Sequence, residues 1–150
     1  MTDSPLPLSQ ALPGTWELLS RVDVTEAGEE REEASLGSDP ISLLFYDRTG
    51  HFAAQFMKRD RSGAAAPEPA PAGTNNSRTV GGYDAYFGTY SVDDETNSVT
   101  QRLVGSLAPE TVGLEITRRM TVSGDRLTIR LDTTVNGEPV TRTLTWQRVG

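Results

Sequence analysis

Apolar and polar residues alternate along most of this chain, and this period of two constrains the fold more than any other feature. Over residues 113–122, the apolar positions are Leu114, Ile116, Met120 and Val122, and most positions between them are polar. Alternation places successive side chains on opposite faces of a strand, whereas an amphipathic helix needs apolar residues three and four positions apart. The pattern therefore predicts strands and no long helix.

Eight segments of this kind follow one another, with turn sequences between them. Strand one is predicted over residues 15–24, with one face carrying Trp16, Leu18, Ser20, Val22 and Val24 and the other Glu17, Arg21 and Asp23. Two hairpins are predicted from segments 41–45 and 51–57 and from segments 86–92 and 99–106, and Asn136-Gly137 is the strongest turn signal near the C-terminus. The predicted fold is all-β, an eight-stranded antiparallel up-and-down β-barrel, with a two-sheet sandwich as the alternative.

The length of 150 residues predicts one domain, with the barrel over residues 12–149. Two segments interrupt the alternation. Residues 25–37 hold five glutamates around Arg31 and are predicted to form a solvated, flexible loop. Residues 61–82 are rich in Pro, Ala and Gly and predict a second flexible loop, which is a candidate lid over one end of the barrel.

Composition argues against several classes of function. With 14 basic and 21 acidic side chains the net charge is −7, so we expect neither nucleic acid nor a membrane as partner. The chain has no cysteine and one histidine, which argues against thiol nucleophiles and transition-metal sites, and we expect no cofactor and no metal. The N-terminal residues lack a signal-peptide pattern, so a soluble cytoplasmic monomer or homodimer is expected.

Arg118 shares a predicted face with Leu114, Ile116 and Met120, so alternation directs it into the barrel. A buried guanidinium keeps its charge and needs a partner. One interpretation is a structural ion pair with a protein carboxylate. The other is an anchor for a carboxylate or enolate oxygen of a ligand.

The densest aromatic group follows the second loop, where Tyr86, Gly88 and Tyr90 are predicted to share the inward face. A glycine between two phenols leaves space that a substrate could fill, although hydrogen-bonded core packing explains the tyrosines equally well. Gln55 and Gln101 are similar candidates, because an amide that projects into a barrel needs a partner.

Two titratable side chains remain. His51 follows a hairpin glycine, so exposure is favoured over a role as general base. Asp84 lies beside the aromatic group and becomes a candidate acid or base only if it is buried.

A series of motifs spans nearly the whole chain. In order they are LPGTWEL (12–18), YDRTG (46–50), QFMKRDR (55–61), AYFGTY (85–90), VG (112–113), RR (118–119), GDRL (124–127) and LTWQRV (144–149). Over residues 11–149 the series resembles the bacterial and fungal lipocalin-like domain family. Relatives often carry a histidine near Gln101 and Arg102 and a glutamine at the position of Ile116, so the interior of this chain is expected to differ from theirs.

The resemblance implies a barrel around a cavity for a small, largely apolar molecule, with Arg148 covering Trp16 at a closed end. Some relatives are linked to natural-product biosynthesis. The predicted function is therefore a cofactor-free cyclase or isomerase, including pericyclases of the Diels-Alderase type, acting on a hydrophobic polyketide-like substrate; the alternative is a non-catalytic carrier of a small hydrophobic metabolite. The predicted catalytic residues are Arg118, Tyr90 and Gln101, and the predicted ligand-binding residues are Tyr86, Phe56, Gln55, Phe45, Ile116, Leu114 and Met120.

Overall fold

The computed structural model describes residues 6–61 and 77–150, and its strands form an antiparallel sheet that closes on itself. Within these residues the strands are β1 (Gly14–Thr25), β2 (Glu30–Arg31), β3 (Ile41–Tyr46), β4 (His51–Met57), β5 (Tyr83–Asp93), β6 (Ser98–Ser106), β7 (Glu115–Ser123), β8 (Arg126–Val135) and β9 (Glu138–Arg148). A four-residue helix, α1 (Leu8–Ala11), precedes them, and a 3₁₀ turn (Pro109–Thr111) separates β6 from β7.

The barrel consists of β1 and β3 to β9, each strand lying beside its neighbour in sequence, and β1 pairs with β9 to close it. β2 is an additional strand at the end of β1. The predicted eight-stranded up-and-down barrel is confirmed, and the sandwich alternative is excluded. The predicted turn joins β8 to β9, with Asn136 at φ 52° and Gly137 at φ 80°. Both angles are left-handed, as a two-residue hairpin of the common primed type requires.

One end of the barrel is filled by protein. The guanidinium carbon of Arg148 lies 4.3 Å from the centre of the Trp16 ring, and Trp16 is fully buried. Arg148 also donates hydrogen bonds to the carbonyls of Ala11 and Pro13, at 2.6 and 2.9 Å. A Cβ at Gly14 would lie 2.3 Å from Arg148 Nη1, which explains why glycine precedes the tryptophan by two positions. The expected cover of Trp16 by Arg148 is confirmed.

A β-bulge in β1 overturns the predicted faces of the first strand. Leu18 pairs with Trp146 and Ser20 with Thr145, so Leu19 is an extra residue without a counterpart on β9. One extra residue reverses the alternation that follows it. Arg21 and Asp23 are therefore buried inside, at 6% and 2% exposure. The prediction that Arg21 and Asp23 share a face with Glu17, opposite Trp16 and Leu18, was wrong.

The acidic segment 25–37 differs from the solvated loop that its charge predicted. Its first half forms the short hairpin of β1 with β2, and its second half folds inward, so that Ser35 and Leu36 are buried. Arg21 secures this half by donating a 3.0 Å hydrogen bond to the carbonyl of Gly37. Arginine contacts thus offset the like-charge repulsion that the sequence indicated.

Of the predicted lid at 61–82, residues 62–76 lie outside the described residues.

In the part of the chain that the structure describes, no helix has the length and apolar character to cross a membrane.

We expect Arg148→Met to destabilise the protein by about 2–4 kcal/mol, because it removes the cation over Trp16 and two hydrogen bonds to the partly buried carbonyls of Ala11 and Pro13. Urea unfolding of the variant and of Arg130→Met, which changes an exposed arginine of β8, gives the comparison. Equal unfolding free energies for both variants and the wild type would show that the Arg148 contacts are not stabilising.

Candidate functional site

A cavity of about 330 Å³ occupies the barrel beyond the filled end. Its wall combines charged and polar side chains with apolar side chains from five strands. The apolar side chains from these strands are Leu44, Phe56, Met120, Ile129, Leu131, Leu144 and Trp146. Residues 32–36, 77–79 and 133–136 also line it. The volume is within the range of natural small-molecule sites.

Two buried polar side chains meet on the apolar wall. Tyr46 donates its phenolic proton to Gln101 Oε1, and its oxygen lies 3.9 Å from Met120 Sδ. Burial raises the pKa of Tyr46 well above its usual value, so the phenol stays neutral at physiological pH. Gln101 is 4% exposed, and Tyr46 is the partner its oxygen needs.

Arg118 reaches the cavity from β7 and is 9% exposed. One guanidinium nitrogen donates a hydrogen bond of 3.1 Å to the carbonyl of Thr117. Burial lowers the pKa of Arg118, and the neighbouring phenols Tyr86 and Tyr46 act in the opposite direction. The Arg118 guanidinium therefore reaches the cavity within electrostatic reach of two phenols.

The inward residues of β1 form a second charged group. Asp23 and Arg142 are paired across β1 and β9 and make two hydrogen bonds of 2.7 and 2.8 Å. Arg21 lies beside them, with Nη2 at 3.8 Å from Glu33. Burial, and then repulsion from Arg142, lowers the pKa of Arg21 to about 10. Arg21 stays charged near neutral pH.

Asp84 is a buried carboxyl group on the cavity wall, 4% exposed. Its Oδ2 accepts a 2.6 Å hydrogen bond from the Ser77 hydroxyl, and no donor among residues 6–61 and 77–150 reaches the buried Oδ1. Burial raises the pKa of Asp84 from 3.8 to about 6, against the opposing effects of the Ser77 hydroxyl, the nearby Ala85 backbone N–H and the Arg21 charge. This carboxyl group therefore changes its protonation near physiological pH.

Comparison with protein families agrees with this architecture. The family model described as a lipocalin-like domain matches residues 13–149. The chain belongs to the lipocalin-like domain family. No curated protein matches its sequence. The lipocalin-like barrel is a small-molecule binding domain, and its largely apolar cavity fits a small hydrophobic molecule.

Half of the residues predicted for the site lie on the cavity wall of this lipocalin-like barrel. They are Arg118, Gln101, Tyr86, Phe56 and Met120. Ile116 is buried in the hydrophobic core and Leu114 is half-buried just before β7, but neither is part of the lining. The catalytic and binding roles of all these residues stay predictions.

Phe45 and Gln55 were predicted to face the ligand, and this orientation was wrong. Both lie on the outer face, because Leu44, Tyr46 and Phe56 are the neighbours that turn inward. The run of apolar residues at 41–46 leaves either face apolar enough to be buried, so the sequence pattern could not choose between them. Gln55 Oε1 instead accepts a 2.7 Å hydrogen bond from Tyr83.

Tyr90 faces inward as predicted but lies outside the cavity lining. Its hydroxyl donates to the carbonyl of Asp47 at a hairpin turn, and its ring meets Tyr46 edge to face with centroids 4.9 Å apart. The predicted space at Gly88 is filled as well, since a Cβ there would lie 1.8 Å from the carbonyl oxygen of Arg102. Gly88 thus permits a close approach of β6 and leaves no room for a ligand.

His51 is exposed, as predicted, and its Nδ1 lies 2.8 Å from Thr49 Oγ1. Within residues 6–61 and 77–150, no three acidic or histidine side chains are grouped so as to hold a metal ion.

The charged groups that sequence reasoning missed are Arg21, Asp23 and Arg142. The adjacent Leu18 and Leu19 were the available sign of a bulge, because two neighbouring leucines break strict alternation.

We expect Asp84→Asn to stabilise the lipocalin-like barrel at neutral pH. The folded-state pKa of Asp84, about 6, exceeds its usual 3.8, so folding favours the protonated acid. Stability from this group is full below the unfolded-state pKa and is lost as the pH rises through the folded-state pKa. The variant should therefore match the wild type near about pH 4 and exceed it by up to about 3 kcal/mol near about pH 8.

Urea unfolding at the two pH values measures this difference. Asp132→Asn is the matched control, because Asp132 is an exposed carboxylate on β8. A stability gain for Asp84→Asn that is the same at both pH values would contradict a raised pKa of the Asp84 carboxyl group.

Proposed function

We propose that this protein is a cofactor-free cyclase or isomerase for a small hydrophobic, polyketide-like substrate held in the barrel. The observation that carries the proposal is the Arg118 guanidinium, which reaches the cavity wall within electrostatic reach of the phenols of Tyr46 and Tyr86. The planar guanidinium carries several N–H donors, which suit an oxygen atom of a bound molecule.

A fixed positive charge in a cavity is suited to an oxygen atom that gains negative charge during a reaction. Arg118 is placed to polarise a carbonyl or enolate oxygen of the substrate. Gln101, fixed by its bond from Tyr46, is held in one orientation and can position a second oxygen-bearing group.

The apolar wall supplies the other requirement, which is a reactive conformation of a flexible chain. Phe56 and Trp146 meet edge to face, with ring centroids 5.7 Å apart, and form one rigid side of the cavity. Orientation of two reacting ends can contribute about 7–11 kcal/mol to a cyclisation. A pericyclic ring closure of the Diels-Alder type needs no more than this folding and the polarised carbonyl group.

The alternative is a carrier that binds a small hydrophobic metabolite without changing it. Native mass spectrometry of the purified protein, followed by identification of any molecule released on denaturation, tests occupancy directly. Incubation with linear polyketide precursors then separates the two functions. An enzyme converts a precursor to a product of equal mass with a different retention time, whereas a carrier shows the precursor mass bound and never converted.

We expect Arg118→Met to lower kcat/KM for that conversion by about 10²–10³-fold, because it removes the charge that faces the developing oxyanion. The fold should persist, since an apolar residue of similar size in place of a buried charge is often neutral or stabilising. Arg130→Met, on the outer face of β8, is the control. Wild-type turnover by the Arg118 variant, with an unchanged melting temperature, would contradict the assigned role.

A further inference from the structure

Asp84 lines the cavity but has no role in the polarisation of a substrate oxygen atom that is proposed for Arg118. Asp84 and Tyr86 are two positions apart on β5, so they face the same side of the strand about 7 Å apart. Both line the cavity. A buried carboxylate oxygen that no described donor reaches is unusual in a folded protein, and in a cavity wall it is available to a bound molecule.

Tyr86 responds electrostatically to both the Asp84 carboxyl group and the Arg118 guanidinium. Its pKa is raised by burial and then by the charge of Asp84, and it is lowered by the charge of Arg118. One phenol is thus within electrostatic reach of both groups. Its ring is held by Phe52 and Phe56, with centroids at 5.9 and 6.4 Å, so the hydroxyl has a defined position.

The cavity therefore presents a proton acceptor in the Asp84 carboxylate, and a cation with a neutral phenol in Arg118 and Tyr86. Enolisation of a ketone needs this combination, since a base removes a proton from carbon while donors stabilise the oxyanion. A carboxylate can fill the first role when an apolar site makes it more basic.

We propose that Asp84 exchanges a proton with a carbon atom of the substrate, while Arg118 and Tyr86 hold the oxygen atom on which negative charge develops. This inference rests on the proposed function and names its substrate class. The substrate is a ketone with an acidic C–H bond beside the carbonyl group and a double bond one carbon further along.

The step balances within the substrate and Asp84. The carboxylate takes the proton from the carbon between the carbonyl group and the double bond, and the C–H electron pair forms a dienolate whose negative charge rests on oxygen. The resulting Asp84 carboxylic acid gives the proton to the far carbon of the dienolate. The carbonyl group re-forms, and the product is the conjugated isomer with no atom or electron gained or lost.

The groups around Asp84 determine the pH at which its carboxyl group is ionised and can act as a base. Arg21 from β1 favours its ionised form, Tyr86 is its titratable neighbour on β5, and Arg78 lines the cavity while paired with Glu110. The residue opposite on β4 is Phe56, which does not titrate. Since the base must be ionised, turnover should rise with pH through the pKa of about 6 and level off above it.

The test uses 3-cyclohexen-1-one as the probe, with the full chain. Ultraviolet absorbance follows formation of the conjugated enone, proton NMR in D₂O follows exchange beside the carbonyl group, and quenching of Trp146 fluorescence follows binding. We expect Asp84→Asn to lower both rates by about 10²-fold or more and to leave probe binding unchanged. The exposed-carboxylate variant Asp132→Asn should behave as the wild type, and urea unfolding shows that both variants are folded.

The outcomes separate this inference from the function on which it rests. Probe turnover by Asp84→Asn equal to that of the wild type overturns the role of Asp84 and leaves the isomerase standing. A wild-type protein that cyclises a linear precursor, yet neither isomerises nor exchanges the bound probe, overturns proton transfer and leaves the cyclase. A protein that binds both molecules and converts neither overturns both proposals.

Discussion

Pairing between the first and last strands closes the barrel, and the rest of the interior depends on that closure. The register runs from Trp16 opposite Arg148 to Thr25 opposite Val140. A closed sheet has no free edge and encloses a finite volume. Every strand therefore directs the side chains of one face into the same interior. At one end that space is filled by Trp16 beneath Arg148 and by Leu12, and beyond that end the inward residues leave a cavity.

The same closure accounts for two different ways of burying an arginine. Arg142 faces Asp23 across the pairing of β9 with β1, so its charge is matched by a carboxylate on the adjacent strand. Arg118 projects from β7 to the cavity wall, within electrostatic reach of the phenols of Tyr46 and Tyr86. The first arginine ties the two closing strands together through its ion pair, and the second is the one that the proposed function uses.

The sequence predicted where strands and turns lie better than it predicted which side chains turn inward. Strand positions follow from alternation and from turn residues such as Asn136-Gly137, which are local properties. Arg118 was placed correctly because its strand alternates without interruption. The orientation of Phe45 and Gln55 was predicted wrongly, because apolar residues on both faces of a strand do not show which face is buried. Arg21 and Asp23 were misplaced because a bulge at Leu19 reverses the phase, and a bulge is set by pairing with a distant strand.

The separation of the filled end from the cavity has an evolutionary consequence. Substitutions on the cavity wall change the size and charge of the site without touching the contacts among Trp16, Arg148 and Ala11 that close the barrel. Because most mutations are tolerated only while stability stays above a threshold, a fold with a separate stabilising end can accept many new linings. One barrel can thus be adapted to unrelated small molecules by changes at a few inward positions, while the Gly-x-Trp motif and Arg148 keep the filled end unchanged.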